Sequence, residues 1–148
     1  MELRRATMDD AEAILCWRND ETTRAGSFTQ KIITLDTHKN WMKSKLSDEK
    51  CRMLMLVDGD ELLGNIRLDL EGENSEIAEI SYMINPECRG RGYGKDILRM
   101  VEKELPATVK VLTGFVKLEN VASQKCFESS GYVRLSAGDV LGYIKLLV

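Results

Sequence analysis

The chain predicts an α/β domain of the α+β kind: a mixed central sheet of about seven strands, antiparallel in its first half, with one parallel pair and about four flanking helices. Three observations carry this. Between Cys51 and Ile84, apolar and β-branched runs are separated only by short polar turns, the signature of consecutive antiparallel strands. A helix-patterned stretch, Tyr93 to Glu104, then separates the last of these runs from another, Thr108 to Val116, and a helical crossover calls for parallel pairing of the strands it joins. Apolar residues at helical spacing mark the remaining helices.

In order along the chain, Leu3 to Ala6 reads as a short strand, and Thr7 caps a helix with Asp9 and Asp10 in its first turn. Ala11, Ile14 and Leu15 share one face of that helix, with Trp17 and Arg18 near its end. The segment Trp17 to Asp20, continued by Thr23-Arg24 and Ser27-Phe28, is polar and aromatic and reads as a contact-making loop. From Thr34 to Leu46, the residues Leu35, His38, Trp41, Met42 and Leu46 recur at intervals of three and four and predict a second helix. Strands Cys51 to Val57 and Glu61 to Leu70 meet at the tight turn Asp58-Gly59-Asp60, and a second turn, Glu71 to Asn74, leads into strand Glu76 to Ile84. After the crossover come a helix from Val121 to Ser129 stopped at Gly131, then strands Tyr132 to Leu135 and Val140 to Leu147. No repeat or linker interrupts the pattern, so residues 1–148 are expected to form one domain.

Bulk properties narrow the function. With 148 residues, 43% hydrophobic and 30% charged, the sequence suits an ordinary globule with a real core. A net charge of −3 offers nothing to nucleic acid or an anionic membrane, and no apolar run nears the ~20 residues a membrane span needs. A cytoplasmic location, as monomer or homodimer, is the expectation. Cys16, Cys51, Cys88 and Cys126 are irregularly spaced and the sequence has 1 histidine, which argues against a zinc site or any other metal centre and for free thiols.

The stretch Ile84 to Lys95, I-N-P-E-C-R-G-R-G-Y-G-K, organises the chain: a strand, a glycine-rich loop and a helix start in direct succession. Helix N-termini carry unpartnered N–H groups and a positive dipole, so they attract anions, and Arg89 and Arg91 add full charge. A dinucleotide loop needs G-x-G-x-x-G with an acid roughly 20 residues on, where this chain has Lys110 and Val111. A triphosphate loop needs Ser or Thr after G-K, where this chain has Asp96.

What remains is Arg89-x-x-Gly92-x-Gly94, which resembles the coenzyme A diphosphate loop of the GCN5-related N-acetyltransferases (GNAT). Downstream, Asn120 to Tyr132 (N-V-A-S-Q-K-C-F-E-S-S-G-Y) resembles that family's second signature. The resemblance implies that two parallel strands splay around acetyl-CoA, used as cosubstrate without a metal. Carried over residue by residue, Met83 and Ile84 would meet the pantetheine arm. Arg89, Gly90, Arg91, Gly92, Tyr93, Gly94 and Lys95 would hold the diphosphate. Asn120 would sit near the reactive end, with Phe127 and Lys125 on the same helix, although an exposed lysine is usually only solvated.

Acyl transfer to an amine needs a base for the ammonium, a donor for the developing oxyanion and an acid for the thiolate. Glu79 interrupts an apolar strand and is the candidate base; the competing reading is an ion pair with Arg67. Where many relatives carry tyrosine as the acid, this chain has Phe127, which has no proton to give. Tyr82, Tyr93, Tyr143 or water is left for that role, or the thiolate departs unaided. A non-catalytic acyl-CoA-binding module is the third possibility. The text of the N-terminal half resembles the branch acting on nucleotide-linked amino sugars, with Arg18 and Arg24 for the acceptor's phosphates, Trp17 or Trp41 stacking on a sugar or base, and His38 as a further contact; the competing reading packs Trp17, Trp41 and His38 into the core. The branch that acetylates protein N-termini, including those of ribosomal proteins, shares part of that text. The expected partner is therefore a small-molecule amine, and not nucleic acid or membrane.

Overall fold

The computed structural model describes residues 1–28, 31–135 and 138–147. Among these residues, seven strands form one sheet in the order β1-β2-β3-β4-β5-β7-β6. They are β1 (Glu2–Arg5), β2 (Cys51–Asp58), β3 (Glu61–Glu71), β4 (Ile77–Ile84), β5 (Val111–Lys117), β6 (Val133–Arg134) and β7 (Val140–Leu146). Pairing is antiparallel from β1 to β4, parallel between β4 and β5, and antiparallel again through β7. The parallel register runs from Ile77↔Val111 to Ile80↔Gly114 and then stops, although β4 continues to Ile84 and β5 to Lys117. The two strands therefore diverge toward their C-terminal ends.

Among the described residues, five α-helices flank the sheet: α1 (Ala11–Asn19), α2 (Glu21–Ala25), α3 (Leu35–Ser47), α4 (Tyr93–Val101) and α5 (Val121–Ser129). Thr7 and Asp10 form the capping box of the short turn that opens α1, and Arg4 grips the Asp10 carboxylate at 2.7 and 2.9 Å. Residues Trp17 to Asp20 are not the expected loop. Trp17, Arg18 and Asn19 complete α1, and Asp20 caps a further helix, α2, by accepting from the Thr23 N–H at 3.0 Å. That helix buries none of its residues and so leaves no apolar periodicity in the sequence.

Alternation along β4 divides the core. Ala78, Ile80, Tyr82 and Ile84 pack with Ile97, Leu98 and Phe127 under α4 and α5. Met83 points the other way, packing with Ala11, Ile14, Trp17 and Met42 under α1 and α3. Glu79 and Ser81 share that second face. No helix among the described residues is long and apolar enough to cross a membrane.

Candidate active site

The glycine loop follows β4 directly. Asn85 caps a single helical turn, Pro86–Cys88, and its Nδ2 donates to the Leu62 carbonyl at 2.8 Å, tying the loop to β3. Gly90 and Gly92 have φ of +78° and +83°, a region in which a side chain is strained, and Gly92 is the N-cap of α4. The first backbone bond of the helix is from Asp96 N to Gly92 O, so the N–H groups of residues 90–95 find no protein acceptor among the described residues. Gly94 serves packing: a Cβ there would come 2.8 Å from the Cys126 Sγ of α5. Arg89, Arg91 and Lys95 are exposed, Tyr93 is half-buried, and Arg91 approaches Glu61 only at 3.9 Å. Cys88, beside the arginines, is buried, and burial first, then its contact with Glu61, pushes its thiol pKa up.

The split between β4 and β5 opens one residue beyond Glu79. Glu79 stands opposite Thr113 on β5 and Asp69 on β3, half-buried. Its pKa is raised, by burial first and then by Glu71 and Asp69, with Arg67 opposing. The ion pair anticipated with Arg67 is not formed. Arg67 Nε binds Asp69 at 2.9 Å and its guanidinium lies 5.2 Å from the centre of the Trp41 ring. The acidic neighbours of Glu79 were missed because the register was: strands ending at Leu70 and starting at Glu76 would set Arg67 opposite Glu79, whereas Glu71 pairs with Ile77 and brings Asp69 opposite it.

On the opposite face, Tyr82 closes the base of the split, its hydroxyl 3.1 Å from Ser123 Oγ. Burial pushes its pKa far up. Phe127 is 2% exposed and lies among Tyr82, Tyr132 and Tyr143, stacked on the last at 5.4 Å. Tyr143 is equally buried, its hydroxyl donating to Glu128 at 3.0 Å and accepting from Arg134 at 3.3 Å. Both residues are thus core aromatics, and of the tyrosines offered as acid only Tyr82 and Tyr93 border the loop or the split.

Asn120 caps α5, its Oδ1 accepting from the Ser123 N–H at 3.2 Å, just past the end of β5. Gln124, which drew no notice in the sequence, holds this corner by donating to the carbonyls of Lys117 and Leu118. Lys125 is exposed on the same helix.

The acceptor candidates separate into core and surface. Trp17 is 5% and His38 0% exposed, so neither offers a ring face to a ligand. His38 Nδ1 accepts from Arg18 Nη1 at 3.2 Å, while Nε2 has no hydrogen bond of ordinary geometry. Burial, then the charge of Arg18, lowers the His38 pKa; the backbone oxygen of Ala11 acts in the opposite sense. Arg18 is half-buried, 4.4 Å from the centre of the half-buried Trp41 ring, and no carboxylate pairs with it among the described residues. Burial and then the charge of Arg67 lower its pKa. Arg24 Nε donates to the Asn19 carbonyl at 3.0 Å, closing the α1–α2 corner. Arg18, Trp41, Arg67, Asp69 and Glu79 thus form one polar group on the α1–α3 face. A separate hollow of about 480 Å³, lined by Arg5, Leu46, Cys51, Arg52 and Glu104 among others, contains none of these residues.

Known proteins show the same architecture. A spermidine N-acetyltransferase from Vibrio cholerae, in complex with coenzyme A and spermine, superposes with a TM-score of 0.85 at 19% identity, covering 97% of this chain and 94% of that one. A ribosomal-protein-alanine N-acetyltransferase from Brucella melitensis gives 0.83 at 23% identity, over 99% and 100%. An aminoglycoside acetyltransferase bound to coenzyme A and kanamycin gives 0.84 at 16%, over 98% and 94%. Likeness at these identities establishes the fold. No curated protein matches in sequence. The family profile described as acetyltransferase (GNAT) domain matches residues 1–133. With the strand split, the glycine loop and that match in hand, the chain belongs to the GNAT acetyltransferase family.

Proposed function

We propose that this chain, as one catalytic domain, transfers the acetyl group of acetyl-CoA to the primary amine of a small nucleotide-linked amino sugar by direct attack. The observation that carries the reading is the position of Glu79: a half-buried carboxylate with a raised pKa, one residue from the point where β4 and β5 part. A base poised nearer neutrality accepts a proton from an ammonium more readily than an ordinary carboxylate does. Glu71 nearby favours a cationic acceptor, whereas Asp69 is already paired with Arg67 and Lys45. Arg18, stacked on Trp41 and without a carboxylate partner among the described residues, supports an acceptor that also carries phosphate.

In this reading the diphosphate of the cosubstrate meets the N–H groups of residues 90–95, its pantetheine arm runs beside Met83 and Ile84, and its thioester lies in the split. Glu79, directly or through water, takes a proton from the acceptor ammonium. The amine nitrogen attacks the carbonyl carbon, the adduct gives its second N–H proton to water, the C–S bond breaks, and coenzyme A leaves as thiolate. The acid that protonates it is Tyr82, Tyr93 or water, since Phe127 has no hydroxyl. Spermidine, aminoglycoside and ribosomal-protein acetyltransferases among the structural neighbours support an amine acceptor in general.

A second reading, acetylation of a protein N-terminus, draws on the uncovered face of β5, β7 and β6. There Phe115, Val133, Leu135 and Leu146 are each more than half exposed and suit peptide side chains. A thiol-release assay over amino-sugar nucleotides, polyamines and peptide N-termini separates the two. Turnover with amino-sugar nucleotides, weakened chiefly in KM by Arg18→Gln, is expected. Turnover with peptides alone selects the second reading, and coenzyme binding with no turnover on any amine sinks both in favour of a binding module.

A further inference from the structure

One short segment, Asp20 to Gly26, spans the two lips of the strand split. At its start, Asp20 Oδ2 accepts from Arg89 Nη2 at 2.7 Å, and Thr23 Oγ1 accepts from the same nitrogen at 2.8 Å. At its end, Gly26 lies against Asn120, so close that a Cβ would stand 3.0 Å from Asn120 Nδ2. Arg89 follows the C-terminal end of β4 and Asn120 that of β5, so this segment bridges the opening left where the parallel pairing stops. The contacts do little for the core, since α2 buries no residue. Asp20 is held in turn, its Oδ2 also accepting from the Thr23 N–H and hydroxyl.

Resting on the acetyl-CoA reading, we propose that Asp20 and Thr23 are positioning residues for the cosubstrate: they fix Arg89 at the lip of the split as a ready donor to the diphosphate. A guanidinium carries five donors in a fixed fork. Nη2 is taken by Asp20 and Thr23, and Nη1 and Nε have no protein partner among the described residues. An arginine on a glycine-rich loop otherwise loses its rotamer freedom only when the anion arrives, which weakens binding. Here that freedom is already lost. Since Asp20 offsets the charge of Arg89, the contribution of the pair is geometric, and removing the carboxylate weakens binding despite making the loop more positive.

The test is a double-mutant cycle read by calorimetric titration of coenzyme A into the full chain. Asp20→Asn keeps a good helix cap and removes the charge. It is expected to weaken coenzyme A about fivefold, the scale of a partly exposed ion pair. In the Arg89→Gln background the same change is expected to have no further effect. An equal loss in both backgrounds marks a purely structural role and overturns the proposal, as does unchanged or tighter binding in Asp20→Asn. Should Asp20→Asn not fold, Thr23→Val removes the second acceptor and is read in the same cycle. Failure of the unaltered chain to bind coenzyme A contradicts the transferase reading instead, and is distinguished because no variant is involved.

Discussion

Phe127 occupies the space that a side chain at Gly114 would need: a Cβ on Gly114 would lie 2.5 Å from Phe127 Cζ. Gly114 is also the last β5 residue paired with β4, so the ring packs where the strands begin to part. Gly114→Ala therefore overpacks a buried contact and is expected to cost about 1–3 kcal/mol in denaturant unfolding. Phe127→Tyr extends the same ring tip and is expected to destabilise by a similar amount without raising turnover. A gain in turnover would show that the missing hydroxyl is what limits this chain.

Glu79→Gln separates activity from stability. The folded pKa of Glu79 is raised, so the fold disfavours its ionised form. Its contribution to stability is present in full below the unfolded pKa and is lost as pH rises through the folded pKa. Near neutrality the glutamine variant is thus expected to melt at a higher temperature than the parent. Turnover should fall by about 10²-fold or more, the scale of a lost general base, with coenzyme affinity unchanged. In the parent, kcat/KM should rise with pH through a limb displaced above the ordinary glutamate value. Melting curves and a pH–rate profile check both halves; undiminished turnover removes Glu79 from the base role.

The Arg4–Asp10 pair sets an acid limit. Asp10 is 4% exposed, and the Arg4 hydrogen bonds, helped by the Thr7 N–H, hold its pKa below the usual carboxylate value. Here the sign is reversed: the stabilisation is complete above the unfolded pKa and disappears as pH falls through the folded one. Asp10→Asn is expected to cost about 2 kcal/mol near neutrality, the scale of hydrogen bonds to a charged group, because Arg4 and the Thr7 N–H lose their charged acceptor. Unfolding free energies of the two proteins should converge in acid, and a constant gap would contradict this.

The strands, the crossover and the glycine loop were legible because period-two alternation, short turns and alternating glycines are local signals. The α2 helix was not, since a five-residue helix with no buried face has no periodicity to read. Trp17 and His38 were offered as acceptor contacts because aromatic and polar residues near a helix end look exposed in one dimension. Their burial depends on α1 packing against α3, which spacing within either helix cannot reveal. The resemblance located Phe127 seven residues after Asn120, but not its close packing against Gly114. The clustering of Glu71, Asp69 and Glu79 depends on the β3–β4 register, in which Glu71 pairs with Ile77; strand ends read one residue early, at Leu70 and Glu76, shift Arg67 into the place of Asp69.

The account stands on the glycine loop as the diphosphate site, and Gly92 tests it most directly. Its φ of +83° is strained for any side chain, while a Cβ there would meet nothing within 4 Å. Gly92→Val therefore distorts the loop backbone without crowding a neighbour. Calorimetric titration of acetyl-CoA is expected to show single-site binding to the parent chain and binding about tenfold weaker or worse to the variant, in line with a backbone strain of 1–2 kcal/mol plus misaligned donors. No heat with the parent chain, or equal affinity in both, would contradict it.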